Sequence, residues 1–207
     1  MDKNKTHPAI KKILNYDVQL TKSLVSFLLN FVAFRSVKNH CRLLEISCHG
    51  IAWLASWMAF CWMINSPSLY NMQINMLLGL IVDIIIVAVI KAATRRRRPS
   101  ADVETVGFGP DKFSFPSGHA SRAFYIVGFF TMLYPLPMFM WPALIVWASG
   151  VAVSRLLMYR HHLLDVCAGI LLGMFETLIL YVIWLGPEVT KSIMLSLSED
   201  YVPGGAE

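Results

Sequence analysis

The stretch IVDIIIVAVIKAATRRRRPS, residues 81–100, decides the fold class of this chain. Ten mostly apolar residues lead into Lys91, and four arginines and a proline follow. A long apolar run that ends in basic residues is typical of a helix that stops at a membrane surface. The whole chain fits this pattern, because 56% of its 207 residues are hydrophobic and only 15% are charged. We therefore expect an integral-membrane protein.

Five segments are apolar enough to cross a membrane or nearly so, since crossing takes about 20 residues in a helix. They are residues 43–64, 74–90, 120–134, 138–153 and 163–185. Residues 10–34 also show helical spacing of apolar residues, but lysines and Asp17 lie among them, which suits a helix in the membrane interface. The sequence predicts an all-α bundle of about five transmembrane helices plus an interfacial helix, and a sixth span is the alternative.

The bundle is expected to occupy residues 1–186 as one domain, because no internal repeat stands out. Residues 187–207 are polar and mildly acidic, and we expect them to form a loosely held tail. No short apolar core with a cleavage site occurs near the N-terminus, so no cleavable signal peptide is expected. The four cysteines lack metal-like spacing and are interpreted as packing residues.

The basic residues are unevenly distributed. Of the 18 lysines and arginines, eight precede residue 43, seven fall within 91–122, two are Arg155 and Arg160, and one is Lys191. With five spans the first 17 share one face, and cytoplasmic loops carry such an excess. This face is expected to meet the cytosol, although a sixth span would move the N-terminal lysines to the other side.

Three pieces of sequence converge on this face. The first contains Lys91 and Arg98, seven residues or almost two helical turns apart, so two cations could meet over one anion if the helix persisted. Pro99 disfavours helical geometry at Arg98. The arginines between these two are expected to fix topology as a stop-transfer cluster: Arg95, Arg96 and Arg97.

The second piece is KFSFPSGHASRAF, residues 112–124. Ser117 is a good N-cap, and Gly118 lets the backbone approach a ligand just where a helix begins near His119. Free N–H groups and the positive end of a helix dipole make an anion site there. An ordinary helix cap would carry the same residues.

The third piece is SRLLMYRHHLLDV, residues 154–166. His161 and Asp165 are four apart, so the carboxylate can hold one imidazole nitrogen protonated and leave the other free to attack. Arg155 lies six residues before His161, which requires a turn near residues 157–160 to bring them together. A structural His and Asp at a helix start is the alternative interpretation.

Together these pieces resemble the motifs of the type 2 phosphatidic acid phosphatase superfamily, which also includes vanadium haloperoxidases. KAATRRRRP fits Lys, six residues, Arg-Pro; PSGH is intact; and SRLLMYRHHLLD fits Ser-Arg, five residues, His, three residues, Asp. LLEISCHGIAWL at 43–54 and the RRRRP ending look like the branch that contains phospholipid phosphatase 6, the presqualene diphosphate phosphatase. The motifs span residues 91–165.

The resemblance implies a role for each motif residue. His161 would be the nucleophile that forms a phosphohistidine, Asp165 would orient it, and His119 would protonate the departing oxygen. The groups expected to hold the phosphoryl oxygens are Lys91, Arg98, Arg155, Ser117 and Gly118. Because three side-chain cations can neutralise a phosphoryl group and no carboxylate cluster suits magnesium, no metal or other cofactor is expected.

The expected substrates are isoprenoid diphosphates such as presqualene or farnesyl diphosphate. Phosphatidate, lysophosphatidate and sphingosine phosphate are alternatives within the same chemistry, and a non-catalytic scaffold that binds anionic lipids is the alternative from another class. Nucleic-acid binding is not expected, since RRRR has no accompanying recognition element. The branch resemblance favours the endoplasmic reticulum and nuclear envelope.

Four polar residues of the apolar segments are assigned to structure rather than to the site. Asp83 and Glu176 lie deep in predicted spans, and we expect them to form hydrogen bonds between helices. Glu45 and His49, four apart at the start of the first span, are expected to pair with each other.

Overall fold

Eight α-helices make up the fold in a computed structural model that describes residues 7–31, 34–99 and 112–197. They are α1 (Pro8–Phe31), α2 (Phe34–Ser47), α3 (Gly50–Met63), α4 (Tyr70–Thr94), α5 (Gly118–Gly128), α6 (Trp141–Leu157), α7 (Leu163–Val182) and α8 (Pro187–Leu197). A π-helical turn, Phe129–Leu133, continues α5, and a short 3-10 turn, Met138–Met140, leads into α6. The described residues contain no β-strand, so the predicted all-α fold is confirmed.

Three of these helices are long and apolar enough to cross a membrane by themselves: α4, α6 with its leading turn, and α7. Helices α2 and α3 are together long and apolar enough to cross a membrane as one bent span, which gives up to four spans within the described residues. The third predicted span, residues 120–134, forms α5 and the π-helical turn, and is shorter than the others. Its middle is buried in the bundle rather than facing outward, because Ala120, Ala123 and Tyr125 are inaccessible.

The first predicted span, residues 43–64, is broken. Its two helices meet at 49° around Cys48 and His49. A break frees backbone groups that a membrane cannot solvate, and here the Arg122 side chain donates to the Cys48 carbonyl at 3.1 Å while Trp53 Nε1 donates to the Ser47 carbonyl at 2.7 Å. The continuous span predicted from hydropathy was therefore wrong, because hydropathy does not register a bend whose polar groups find partners inside the protein.

Helices α5 and α7 lie closer together than ordinary side chains allow. Gly169 and Gly173 sit one turn apart on α7, and a methyl group on either would collide with α5. At Gly169 a Cβ would lie 2.5 Å from the Ser117 carbonyl oxygen, and at Gly173 it would meet the Ser121 carbonyl. Such a small-xxx-small pair lets two helix backbones approach closely. This contact fixes the start of α5 against the start of α7.

A buried polar network links α5 to its two neighbours. Arg122 of α5 donates to Asp83 of α4 at 2.6 Å, and Ser121 of α5 donates to Glu176 of α7 at 3.1 Å. All four side chains are nearly inaccessible. The predicted helix-to-helix hydrogen bonding of the two acidic residues is confirmed.

The segment after residue 186 is more ordered than predicted over its first half. Residues 187–197 form α8, in which Thr190 is buried and Met194 packs with Cys61, Tyr70 and Ile74. The amphipathic spacing of Thr190 and Met194 supplies the packing face that a reading of composition missed. The expected loose tail is wrong for these residues, and 198–207 lie outside the described residues.

Candidate active site

Helix α4 ends at Thr94, one turn after Lys91. Arg95 takes a left-handed conformation (φ 50°), and its amide donates to the Lys91 carbonyl at 3.0 Å. This closes the helix. Lys91 is buried, with 6% of its surface exposed. The helix does not persist to Arg98, and the chain instead leaves α4 as an extended segment in which Arg97 and Phe113 pair as an isolated bridge.

The PSGH segment forms the start of α5, as predicted. Ser117 is the N-cap, and its hydroxyl accepts a hydrogen bond from the Ala120 amide at 3.4 Å. Gly118 opens the helix under Val87 of α4, whose Cγ1 would lie 3.1 Å from a Cβ at that position. The start of α5 therefore packs against α4 one turn before Lys91.

His161 lies in the turn between α6 and α7. The Met158–Arg160 turn, with Tyr159 left-handed (φ 51°), carries the chain back so that the His161 amide is 3.3 Å from the Arg155 carbonyl. The predicted turn that brings Arg155 and His161 together is confirmed. The His161 ring is buried, and its Nδ1 lies 2.7 Å from the Ser114 carbonyl. A carbonyl can only accept, so Nδ1 carries the proton and Nε2 keeps a free lone pair.

Asp165 is not the direct partner of this imidazole. Its Oδ2 is 4.0 Å from His161 Nδ1, beyond a hydrogen bond, whereas it accepts from the His162 amide at 2.8 Å. The predicted direct orientation of His161 by Asp165 needs this correction. The reason is geometric, because Asp165 caps the first turn of its own helix and the backbone of Ser114 reaches the imidazole first.

Arg96 is the residue of this region that sequence reasoning assigned wrongly. Arg95 and Arg97 are exposed, as a stop-transfer cluster requires, but Arg96 points inward. Its guanidinium bridges Asp165 at 2.7 Å and Asp17 of α1 at 2.5 Å. Its carbonyl accepts from the Ser114 amide at 2.8 Å. Among the three arginines assigned to topology, residues 95–97, the sequence does not say which one turns inward.

Arg155 is buried and surrounded by acceptors. It donates to Glu45 at 3.0 Å, to the Cys41 carbonyl at 3.4 Å and to the Ser154 hydroxyl at 3.2 Å. Glu45 therefore pairs with Arg155, and the predicted pair of Glu45 with His49 was wrong. The break after α2 turns His49 away, and its ring lies edge-on to His119 with centroids 6.3 Å apart.

The electrostatics around the two histidines suit a nucleophile and its partner. Burial, together with the positive charges of Arg98 and Lys91, lowers the pKa of His161 to about 3, against an opposing pull from the Asp165 carboxylate. His161 is therefore neutral at physiological pH. Burial, together with the positive charges of Arg155 and Arg122, lowers the pKa of His119 as well, and its Nε2 is buried with no hydrogen-bond partner among the described residues.

Three hydrogen bonds join the three motif segments directly. The Ser117 amide donates to the Asp165 carbonyl at 2.9 Å, and the Ser114 amide and carbonyl link Arg96 to His161. The structure thus gathers an imidazole with a free nitrogen, a second imidazole, cationic side chains and a helix N-terminus in one place. Such a group of side chains can bind a phosphoryl group and attack it. The catalytic and binding roles remain predictions.

Comparison with known proteins agrees with the motif pattern. The family model described as PAP2 superfamily matches residues 73–186, more than half of the chain. The chain belongs to the PAP2 superfamily. It is also 36% identical over 140 residues to a probable lipid phosphate phosphatase beta of Arabidopsis thaliana, a match that covers 55% of this chain and 66% of the plant protein. The chain thus covers slightly less than two thirds of that relative. No solved structure matches it.

Helix α1 lies outside the stretch that the family model matches, yet it reaches the site through Asp17. One signal in the sequence could have revealed this contact: Asp17, Thr21 and Val25 recur every four residues and form the buried face of α1. No pattern singles out Ser114. Among the described residues, no group of three or more His, Cys, Asp or Glu residues is arranged to hold a metal ion.

Proposed function

We propose that the protein is a membrane lipid phosphatase that hydrolyses isoprenoid diphosphates and monophosphates, such as presqualene and farnesyl diphosphate, through a phosphohistidine. The observation that carries the proposal is the hydrogen bond between His161 Nδ1 and the Ser114 carbonyl. It leaves Nε2 as the nucleophilic nitrogen, in a site where burial and neighbouring cations lower the pKa of the ring and keep it neutral. The isoprenoid preference rests on the branch resemblance of residues 43–54 and of the RRRRP ending.

In the proposed reaction the Nε2 lone pair of His161 forms a bond to phosphorus while the bond from phosphorus to the leaving oxygen breaks. His119, which the negative charge of the bound phosphoryl group keeps protonated, gives its proton to that oxygen. A water molecule then attacks the phosphohistidine, the P–N bond breaks, and His119 takes the proton that the water loses. Free phosphate and the dephosphorylated lipid are the products. This is nucleophilic catalysis with one group serving as acid and then base.

Positively charged side chains stabilise the transition state, because phosphoryl transfer depends on neutralising the charge of the equatorial oxygens more than on covalent chemistry. Lys91, Arg98 and Arg155 would bind these oxygens together with Ser117 and the Gly118 backbone. Arg155 would bind the phosphate in place of its present carboxylate partner, Glu45. We propose that these side chains suffice without a metal ion.

The position of the pocket suits a lipid substrate. A lipid phosphate keeps its tail in hydrocarbon while its headgroup lies at the interface, and the cationic residues lie near the ends of α4 and α6, close to where α5 and α7 begin. From its length, the loop 100–115 is predicted to cover this pocket, with Phe108, Phe113 and Phe115 in the interface; residues 100–111 lie outside the described residues. We further propose a cytosol-facing site in the endoplasmic reticulum and nuclear envelope.

Phosphate release by the purified full-length chain in detergent tests the proposal. Farnesyl diphosphate, presqualene diphosphate, farnesyl monophosphate, phosphatidate, lysophosphatidate and sphingosine phosphate would be compared with EDTA present, beside the His161→Ala variant. We expect turnover fastest on the isoprenoid substrates, unaffected by EDTA and lost in the variant. Faster turnover of a glycerolipid or sphingolipid would replace the substrate class, and loss of turnover in EDTA would defeat metal independence. Binding of anionic lipid vesicles without turnover of any substrate would favour the scaffold alternative.

A further inference from the structure

Helix α1 meets the catalytic region through a polar contact rather than an apolar one. Asp17 and Thr21 lie one turn apart on its buried face and are only 3% and 2% exposed. Burying a carboxylate costs free energy unless it is paired and hydrogen-bonded, so the partners of Asp17 define what this contact does.

One partner of Asp17 and the partner of Thr21 lie at the start of α7. Asp17 Oδ1 accepts from the Leu164 amide at 3.0 Å, and the Thr21 hydroxyl accepts from the Leu163 amide at 2.9 Å. The first amides of a helix have no partner within it. Here two of them are capped by side chains of another helix, in the turn that directly follows His161.

The second carboxylate oxygen of Asp17, Oδ2, forms an ion pair with Arg96. The guanidinium lies between Asp17 and Asp165 and donates to both. A planar fork suits two carboxylates at once, as an ammonium group does not. Because its guanidinium is paired with two carboxylates, Arg96 is fixed in place, and its backbone carbonyl accepts a hydrogen bond from the Ser114 amide. The Ser114 carbonyl in turn accepts a hydrogen bond from His161 Nδ1.

We infer that Asp17 and Thr21 are positioning residues for the His161 nucleophile, and that Arg96 transmits part of the effect of Asp17. This inference rests on the proposed function. Two routes run from α1 to the imidazole: one through the capped first turn of α7, the other through Arg96 and Ser114. The interfacial helix is accordingly part of the catalytic apparatus, although it lies outside the region that the family model matches.

The contacts of α1 lie behind His161, on the side of Asp165 and the α7 backbone, and not among the groups assigned to phosphate. Loss of Asp17 should therefore lower kcat with little change in KM, because the nucleophile loses its alignment while the phosphoryl-binding cations remain. Misplacement of a reacting group by about 1 Å can cost on the order of 100-fold in rate.

The test uses the full-length variants Asp17→Asn and Thr21→Val in detergent. Ser23→Ala, on the exposed face of α1, and Glu188→Gln, an exposed carboxylate on α8, are the matched controls. We expect kcat to fall roughly 10-fold or more in the first two with KM within about twofold of the unmodified protein, and both constants to be unchanged in the controls. Asp17→Asn keeps an oxygen that can accept from the Leu164 amide and loses only the ion pair with Arg96. Asp17→Glu restores the negative charge, so it should recover part of the kcat that Asp17→Asn loses.

A second readout does not depend on turnover. Amide hydrogen exchange of a peptide that covers residues 158–166 should be at least about 10-fold faster in Thr21→Val than in the controls, because the Leu163 amide loses its acceptor and opens more often. Unchanged exchange there, or faster exchange with unchanged kcat, would overturn the inference. If the unmodified protein turns over no substrate, the proposed function fails, and the positioning role fails with it. If the unmodified protein is active and the α1 variants have the same kcat as the controls, only the role of α1 is refuted.

Discussion

The backbone amide of Ser117 donates a 2.9 Å hydrogen bond to the carbonyl of Asp165. One residue begins α5 and the other lies in the first turn of α7, so this bond joins the PSGH segment to the His161 segment. It forms only because α5 and α7 pack backbone to backbone beside Gly169. The relative placement of His119 and His161 therefore depends on a residue that takes no part in chemistry.

Substitution of that glycine tests the dependence. In Gly169→Ala the new Cβ would lie 2.5 Å from the Ser117 carbonyl oxygen and 3.0 Å from the Ala120 Cβ, and neither backbone nor a Cβ can move aside cheaply. We expect turnover to fall by roughly 10-fold or more because α5 shifts relative to α7. Gly186→Ala is the control, since a Cβ there meets nothing within 4 Å. Equal activity of both variants would mean that the contact does not align the site.

Adjacent arginines offer a sharp comparison. Arg96→Gln breaks the bridge between Asp17 and Asp165 and leaves two nearly inaccessible carboxylates without their cation, whereas Arg97→Gln removes an exposed charge from the same run. We expect a loss of kcat on the order of 10- to 100-fold for the first variant and less than about twofold for the second. Steady-state phosphate release from detergent-solubilised protein measures both. Similar losses in the two would show that net charge matters rather than the bridge.

The outcome at these arginines shows where sequence reasoning stops. Spacing and motif pattern were sufficient to find the three converging segments and the turn before His161, because each depends on local sequence. Selection of Arg96 over its neighbours depends on the left-handed residue that ends α4 and on a carboxylate 79 residues away in the chain. The Ser114 carbonyl that holds His161 leaves no trace in side-chain pattern at all.

The fold, like the site, was predicted where local sequence determines it and missed where distant contacts do. Hydropathy located α4, α6 and α7, whose apolar runs are long and continuous. It missed the bend at Cys48 and His49 because the partner that stabilises it, Arg122, belongs to another helix. It also missed α8, whose packing face is carried by few residues in a polar segment.

The protonation state of His161 is open to direct measurement. Burial and the charges of Arg98 and Lys91 lower the pKa of this imidazole to about 3. A lowered histidine pKa means that the neutral form persists as pH falls, so the nucleophile is not lost on mild acidification. The NMR signal of His161, assigned by its absence in His161→Gln, should keep a neutral chemical shift from about pH 8 to about pH 5. A titration midpoint near 6.5 would contradict this account of the pocket.

The buried pair of Asp83 and Arg122 should matter for stability. Asp83→Leu leaves the Arg122 guanidinium buried without its carboxylate, and we expect the free energy of unfolding to fall by about 3–5 kcal/mol. The double variant Asp83→Leu/Arg122→Met removes both charges and should recover part of this loss. Unfolding in mixed micelles of increasing SDS content measures both. A double variant as unstable as the sum of its single variants would show that the two residues act independently.

The central claim is that His161 attacks phosphorus, and trapping the intermediate tests it most directly. Protein mixed with a ³²P-labelled lipid phosphate and quenched in alkali within milliseconds should carry acid-labile, base-stable label on the peptide that contains His161. The His119→Ala variant should retain some label, since it slows hydrolysis of the intermediate as well as its formation. Turnover with no label on the protein, or with the label on a different residue, would contradict the account.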